Sequence, residues 1–279
     1  MIGKWKHGVA ILVVVMMPRA ASAAITDILD NAIDIVTSGF DYLWPDKLDK
    51  KDLRFRLGIG FGASPDYVGS DNYRTRTLPL IDVRYKDKFV LQGTKLRINV
   101  IKSKAFKAGP MLNYKFGRSA NSNPVLNNWG HVHDTVQLGG FVEMRHKNML
   151  MSADMRASMG ASMGYEANGL IAHGLYKDER FTMFAGARLK WSSKSYNQTM
   201  FGVSAAQSDI SGLPAYHPGA GLSSTDINLV GRYRLQSHLF LEALIGNMLV
   251  LDDAASSPLV KDWGNRHQVI GGVGLRYAF

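Results

Sequence analysis

Cysteine is absent from the chain, so its stability cannot come from disulfides, which an exported protein could otherwise use. Beyond residue 24 there is no apolar run of about 18 residues, the length a membrane-spanning helix needs. If this protein crosses a membrane, it does so with strands. Acidic residues are missing from the first 24 positions, where Lys4 and Lys6 make a positive start. Val9 to Met17 follows as an apolar run of nine, and Ala21-Ser22-Ala23 forms an A-x-A signal. That order predicts a secretory leader removed after Ala23 or nearby. An uncleaved anchor is disfavoured by the shortness of the run. The leader carries three of the 33 basic residues and none of the 23 acidic ones, which leaves the remainder at +7. Export makes anionic lipid or cell-wall polymer, rather than nucleic acid, the partner for that charge.

Residues 25–40 have helical spacing, with Ile25, Ile28, Leu29, Ala32, Ile35, Val36 and Phe40 on one side. Asp27, Asp30 and Asp34 lie on the other, so one amphipathic helix with an acidic face is expected, followed by a charged linker over 46–52. From Leu53 the period becomes two. Leu53, Phe55, Leu57, Ile59 and Phe61 alternate with Arg54, Arg56, Gly58, Gly60 and Gly62. The same alternation recurs through Thr77–Tyr85, Phe106–Phe116, Val136–Met144, Met149–Met159, Phe181–Trp191, Thr225–Tyr233, Leu239–Ile245 and Val269–Phe279. Between Phe89 and Val100 the apolar parity switches near Gly93, which a bulge at Gly93-Thr94 would explain. Residues 165–176 and a short stretch from Tyr196 to Val203 supply two less regular segments.

These segments predict an all-β fold, a transmembrane antiparallel β-barrel of about twelve strands, with ten as the alternative, preceded by the short N-terminal helix. The parity does not close cleanly around 86–104 or 192–204, so one segment there is expected to be split or false. Tight turns fall at 86–88, 146–148, 177–180 and 235–237, and longer loops at 64–74, 117–134, 204–222 and 251–266. Tyr67, Tyr73, Tyr85, Tyr114, Tyr165, Tyr176, Trp191, Tyr233 and Tyr277 sit near strand ends, as an interfacial girdle would. A soluble sandwich is the competing fold. The polar parity argues against it, because Arg54, Arg56, Arg84, Arg97, Arg232 and Arg234 suit a wet lumen. The division is then leader 1–24, helix and linker 25–52, and barrel 53–279.

The last strand ends on Tyr277 and Phe279, resembling the signal by which the barrel assembly machinery takes up outer-membrane barrels. Pro65-x-Tyr67-x-Gly69-Ser70, Ala108-Gly109-Pro110-x-Leu112-x-Tyr114, Phe201-Gly202-Val203 with Leu213-Pro214-Ala215-Tyr216, and Ser257-Pro258-Leu259-Val260 occur in that order. Together they resemble the MltA-interacting protein / OmpV family of outer-membrane proteins, over Leu53 to Phe279. The resemblance implies a Gram-negative outer-membrane location and, for some members, a non-enzymatic scaffold role joining a lytic murein transglycosylase to a murein synthase. Others are described as adhesins or routes for small solutes. It implies no catalytic residue and no cofactor.

Other motifs have blander readings. Gly160-x-Ser162-x-Gly164 matches a nucleophile elbow, but that motif needs a helix after its turn, and strand-period sequence follows here. His131-x-His133-Asp134 is at most a partial metal site without a fourth ligand, and His217 could join only from another loop. The glycines at 58, 60 and 62 and at 271, 272 and 274 lack the helix and Lys-Ser/Thr of a phosphate loop. The methionines from Met149 to Met159 have strand spacing on the apolar side, which suits lipid or core contact better than metal transport. One pairing remains: Asp27, Asp30 and Asp34 are expected to face the lumen arginines if the helix folds into or under the barrel mouth.

Overall fold

The computed structural model describes residues 52–120, 123–127, 129–159 and 164–279. The leader and the expected helix at 25–40 lie outside them. Twelve antiparallel strands run through the described residues. They are β1 Leu53–Pro65, β2 Tyr73–Tyr85, β3 Phe89–Gln92, β4 Lys95–Ile98 with its continuation Ile101–Lys102, and β5 Phe106–Lys115. Then come β6 Thr135–His146, β7 Met149–Met159, β8 Tyr165–Lys177, β9 Phe181–Ser192, β10 Gly221–Arg234, β11 Leu239–Val250 and β12 His267–Ala278. Each strand pairs with the next, and β1 pairs with β12 from Arg56 opposite Ala278 to Ala63 opposite Gly271, so the sheet closes on itself. At that seam the backbones approach closely: a Cβ on Gly58 would lie 2.3 Å from the Leu275 carbonyl oxygen.

Twelve is also the number of expected segments, but two of them are allotted differently. The stretch from Phe89 to Val100 is not one bulged strand. It is a hairpin with Gln92 opposite Lys95, and Gly93 takes φ 55° at the first of its two turn positions, where the mirror-image hairpin turn needs positive φ. The bulge lies further on. Between the pairs Arg97–Met111 and Ile101–Ala108, β4 advances one residue more than β5. The expected strand from Tyr196 to Val203 is replaced by helix α1, Lys194–Phe201, started by Ser193, whose side chain accepts from the Tyr196 amide.

Alternation decides which side faces out. Ile59 is 59% exposed and Ile227 65%, whereas inward-facing Phe184 and Val230 are wholly buried. Of the two surroundings that the methionine spacing allowed, lipid or core, Met155 and Met159 take the outward one. Exposed aromatic rings gather at both rims: Tyr85, Tyr176, Tyr233 and Tyr277 at the end with short turns, and Tyr73, Tyr114, Tyr165 and Trp191 at the end with long loops. Tyr73 and Tyr85 bracket β2, and twelve strand steps tilted by about 45° span about 28 Å, close to a bilayer's hydrocarbon core. Tyr67 does not belong to this girdle. It is buried within the loops.

Those loops fold into a cap. The β9–β10 loop carries α1 and α2 (Ala205–Ser211), and α2 starts on a capping box between Ser204 and Gln207. The β11–β12 loop carries α3 (Asp252–Ser256) and α4 (Pro258–Lys261). One apolar cluster joins Tyr196, Phe201, Val250, Ala254, Val260 and Ile270; another joins Tyr67, Leu126, Trp129, Val203, Leu213 and Leu259. The cap is thus bound to the barrel wall by ordinary side-chain packing.

Candidate functional site

Inside the barrel the polar parity of the strands converges, and it carries acids as well as bases. At the turn end, Asp82 meets Arg84 at 3.0 Å and Arg56 at 3.5 Å, and Arg97 meets Glu143 at 3.3 Å and also donates to Gln92. On the opposite wall Glu242 holds Arg232 at 2.6 Å and Arg276 at 3.0 Å. The Arg97 and Arg232 guanidinium carbons stand 5.5 and 5.4 Å over the rings of Phe141 and Phe240. An apolar layer of Leu150, Ala172, Phe184 and Val230 also faces inward.

Toward the loops, Glu166 bridges Lys115 at 2.8 Å and Lys190 at 2.6 Å and accepts from Gln137. Both lysines also donate to the Tyr196 hydroxyl, at 3.0 and 2.8 Å, which ties α1 of the cap to the barrel interior. These groups are desolvated: Glu166 and Arg276 are 1% exposed and Gln137 and Gln268 not at all. Opposed charges pair along the inward face, mostly between neighbouring strands, which buried ions require. At both levels the paired charged side chains are buried.

Outside the strands, burial sets the ionisation. It pushes the Tyr67 hydroxyl up to about 12. Burial lowers Arg118 to about 10, against the opposing pull of Tyr67 and Tyr196, and Arg118 donates to the Met200 carbonyl at 2.8 Å. At the other rim, burial alone would raise the Asp87 carboxyl, but Lys107 and Lys102 overcome it and hold it below the usual range; they lie 2.9 and 3.1 Å away.

The residues singled out by sequence fall as follows. Arg56, Arg84, Arg97 and Arg232 lie buried on the inward face. Arg54 reaches Asp87 at 3.9 Å, and Arg234 lies over the Phe240 ring at 5.8 Å. Asp27, Asp30 and Asp34 lie outside the described residues, as does Ser162. The described strands on either side of Ser162 are β7, ending at Met159, and β8, beginning at Tyr165. His131 and His133 form no cluster: the His131 ring accepts from the Ala120 amide at 3.3 Å, and Asp134 accepts from the Tyr114 hydroxyl at 2.7 Å. His217 contacts Gln198 instead. Among the described residues no three His, Cys, Asp or Glu side chains gather as a metal would need. Tyr277 and Phe279 pack edge to face at 4.8 Å, and the Phe279 amide donates to Phe55 at 2.9 Å. The sequence reading missed Glu143, Glu166 and Glu242 as partners of the lumen cations, although each sits on the polar parity of its strand.

No curated protein sequence matches the chain. Its fold is similar to a porin called NanC (9% identity, TM-score 0.43, covering 80% of this chain and 98% of that one). It is also similar to the translocator domain of the autotransporter NalP from Neisseria meningitidis (12%, 0.41, 93% and 97%) and to OmpT of Vibrio cholerae (10%, 0.37, 82% and 97%). The family model described as MltA-interacting protein MipA matches residues 57–279, most of the described barrel, and the chain belongs to that family.

Proposed function

We infer that the protein is a non-enzymatic outer-membrane scaffold. In this reading a lytic murein transglycosylase, and with it a murein synthase, docks on the periplasmic rim. The family's description names such an enzyme as partner. The observation that carries the reading is the pairing of the interior charges: desolvated ion pairs at two levels under a folded cap suit a docking body better than a solute path. The short-turn end is the periplasmic one in barrels of this kind, and Lys86, Lys88, Lys102, Lys104, Lys147 and Arg180 ring it. An acidic enzyme surface would be drawn to that rim. The leader would be removed after Ala23 or nearby, Tyr277 and Phe279 would guide assembly, and the acidic face at Asp27, Asp30 and Asp34 would meet the lumen arginines from this mouth.

Chemical crosslinking in native membranes followed by pull-down is expected to capture a transglycosylase, and Lys86→Glu with Lys147→Glu to weaken the capture. Purified protein in planar bilayers is expected to add no steady conductance. Steady single-channel steps with no enzyme captured would replace the scaffold with a diffusion channel for small solutes.

A further inference from the structure

β2 is thirteen residues long, but the hairpin beside it has strands of only four. The last ladder bond on that side runs from the Gly93 amide to the Ile81 carbonyl, 2.9 Å, and the last between β4 and β5 from the Tyr114 amide to the Thr94 carbonyl, 3.1 Å. Beyond that turn, toward the loops, β2 pairs with β1 alone; among the described residues no strand lies against its other edge over Tyr73–Leu80. The Ile81 carbonyl faces that edge, so by strand alternation the backbone groups of Thr75, Thr77 and Pro79 face it too. Pro79 has no N–H to leave unpaired, which suits it to an edge. The outward side chains change at the same place. Thr75, Thr77 and Pro79 stand level with Ala63, Phe61 and Ile59 of β1, which pair in turn with Gly271, Val273 and Leu275 of β12. This gap in the wall lies between the Tyr73 and Tyr85 belts, where hydrocarbon would surround it.

Beside the gap, on the paired side of β2, the inner wall is mostly apolar. Leu78, Leu80, Leu244 and Ile270, with glycines of β1 and β12 and the single acid Glu242, line a cavity of about 80 Å³. That is about half the ~150 Å³ that accommodates benzene, so it fits the end of an acyl chain rather than a ring. Arg76 follows Leu78 on the same inward face, opposite Gly62, and is 6% exposed. Its Nε donates to Ser64 Oγ at 3.0 Å, and one terminal nitrogen donates to the carbonyls of Pro65 and Asp66, both at 3.4 Å. The other, Nη1, is buried with no hydrogen-bond partner among the described residues. A buried guanidinium N–H without an acceptor, beside an apolar slot, suits an anionic oxygen.

We propose that the gap between β2 and β5 is a lateral opening that admits a single-chain anionic amphiphile from the surrounding lipid. Its chain lies over Leu78 and Leu80, and its carboxylate or phosphate meets Arg76 Nη1. The test uses the purified protein in phosphatidylcholine vesicles and measures binding of oleate, lysophosphatidylglycerol and methyl oleate. At least one anion is expected to bind at least tenfold more tightly than methyl oleate, and Arg76→Gln to remove that preference. The tighter anion identifies carboxylate or phosphate as the headgroup. Because the chain has no cysteine, Thr77→Cys can be capped with a bulky maleimide, which is expected to slow binding at least tenfold; the same cap on Leu138→Cys, on a paired strand, is expected to leave it unchanged. Folding of each variant is checked by its heat-dependent gel shift. Anions binding no better than the ester, or a preference that survives in Arg76→Gln, overturns the site. Equal rates for the two capped proteins overturn the lateral route.

Discussion

β11 and β12 are twelve residues each and share eleven register positions, whereas β3 and β4 are four each and share four. The tall wall is bonded on both edges of every strand and shows lipid a row of Leu, Ile and Val. The short panel leaves half of β2 bonded on one edge, and there the outward face turns to Thr75, Thr77 and Pro79. Outward composition thus follows the backbone: aliphatic where the ladder is complete, polar or N–H-free where it stops. The interior follows the same division. Glu166, between two lysines, braces the loop end of the tall wall, while Asp82 and Glu143 hold arginines around the panel's base.

The largest effect should come from removing a buried ion in the tall wall. Glu166→Ala leaves Lys115 and Lys190 buried without their carboxylate and should cost about 3–5 kcal/mol. Lys102→Ala, which removes the half-exposed lysine 3.1 Å from Asp87, should cost about 0–1 kcal/mol by loss of that pair. Urea unfolding in vesicles, followed by tryptophan fluorescence, separates the two; equal midpoints would mean that Glu166 is not held in a dry site. A proline exchange tests the ladders directly. Ile227→Pro sits between two bonded neighbours and should cost about 3 kcal/mol or more. Pro79→Ala, on the open edge, should stay within about 0.5 kcal/mol. Gly58→Val tests the seam, where a Cβ meets the Leu275 carbonyl; about 1–3 kcal/mol is expected. Gly169→Ala, with nothing within 4 Å, should be near neutral.

The tall wall was legible in the sequence because lipid outside and a charged interior force a strict period of two over ten or more residues. The panel was not, for a definite reason. A one-residue bulge and a two-residue hairpin turn both shift apolar parity by one, so Leu91 and Leu96 look alike under either. Only spatial pairing decides. Helix α1 misled the pattern because it buries Tyr196, Asn197 and Phe201, a set too short to show a helical period; the caps at Ser193 and Ser204 were the available signals. The bases of the interior stood out by their number. Their partners Glu143, Glu166 and Glu242 are single residues on three strands, and nothing along the chain says which arginine or lysine each will meet. The cap's apolar clusters draw on loops more than a hundred residues apart and have no period at all.

The smallest expected effect is a pH response confined to the panel's base. Asp87 lies in the turn between β2 and β3 with φ 51°, and Lys107 and Lys102 hold its carboxyl below the usual range. A carboxyl whose folded value is depressed contributes its full share above the unfolded value of about 3.9 and loses it as pH falls through the folded value. The turn should therefore be tight at neutral pH and loosen only below about pH 4. Hydrogen exchange at the Lys88 amide, which donates to Tyr85 at 2.9 Å, reports on it once intrinsic exchange rates are corrected for pH. Protection should fall on acidification in the native chain and stay flat in Asp87→Asn. Amides of β11 and β12, remote from this carboxyl, should show no such step. A matching step there would mean that acid loosens the whole barrel, and the short panel would lose its claim to behave apart from the tall wall.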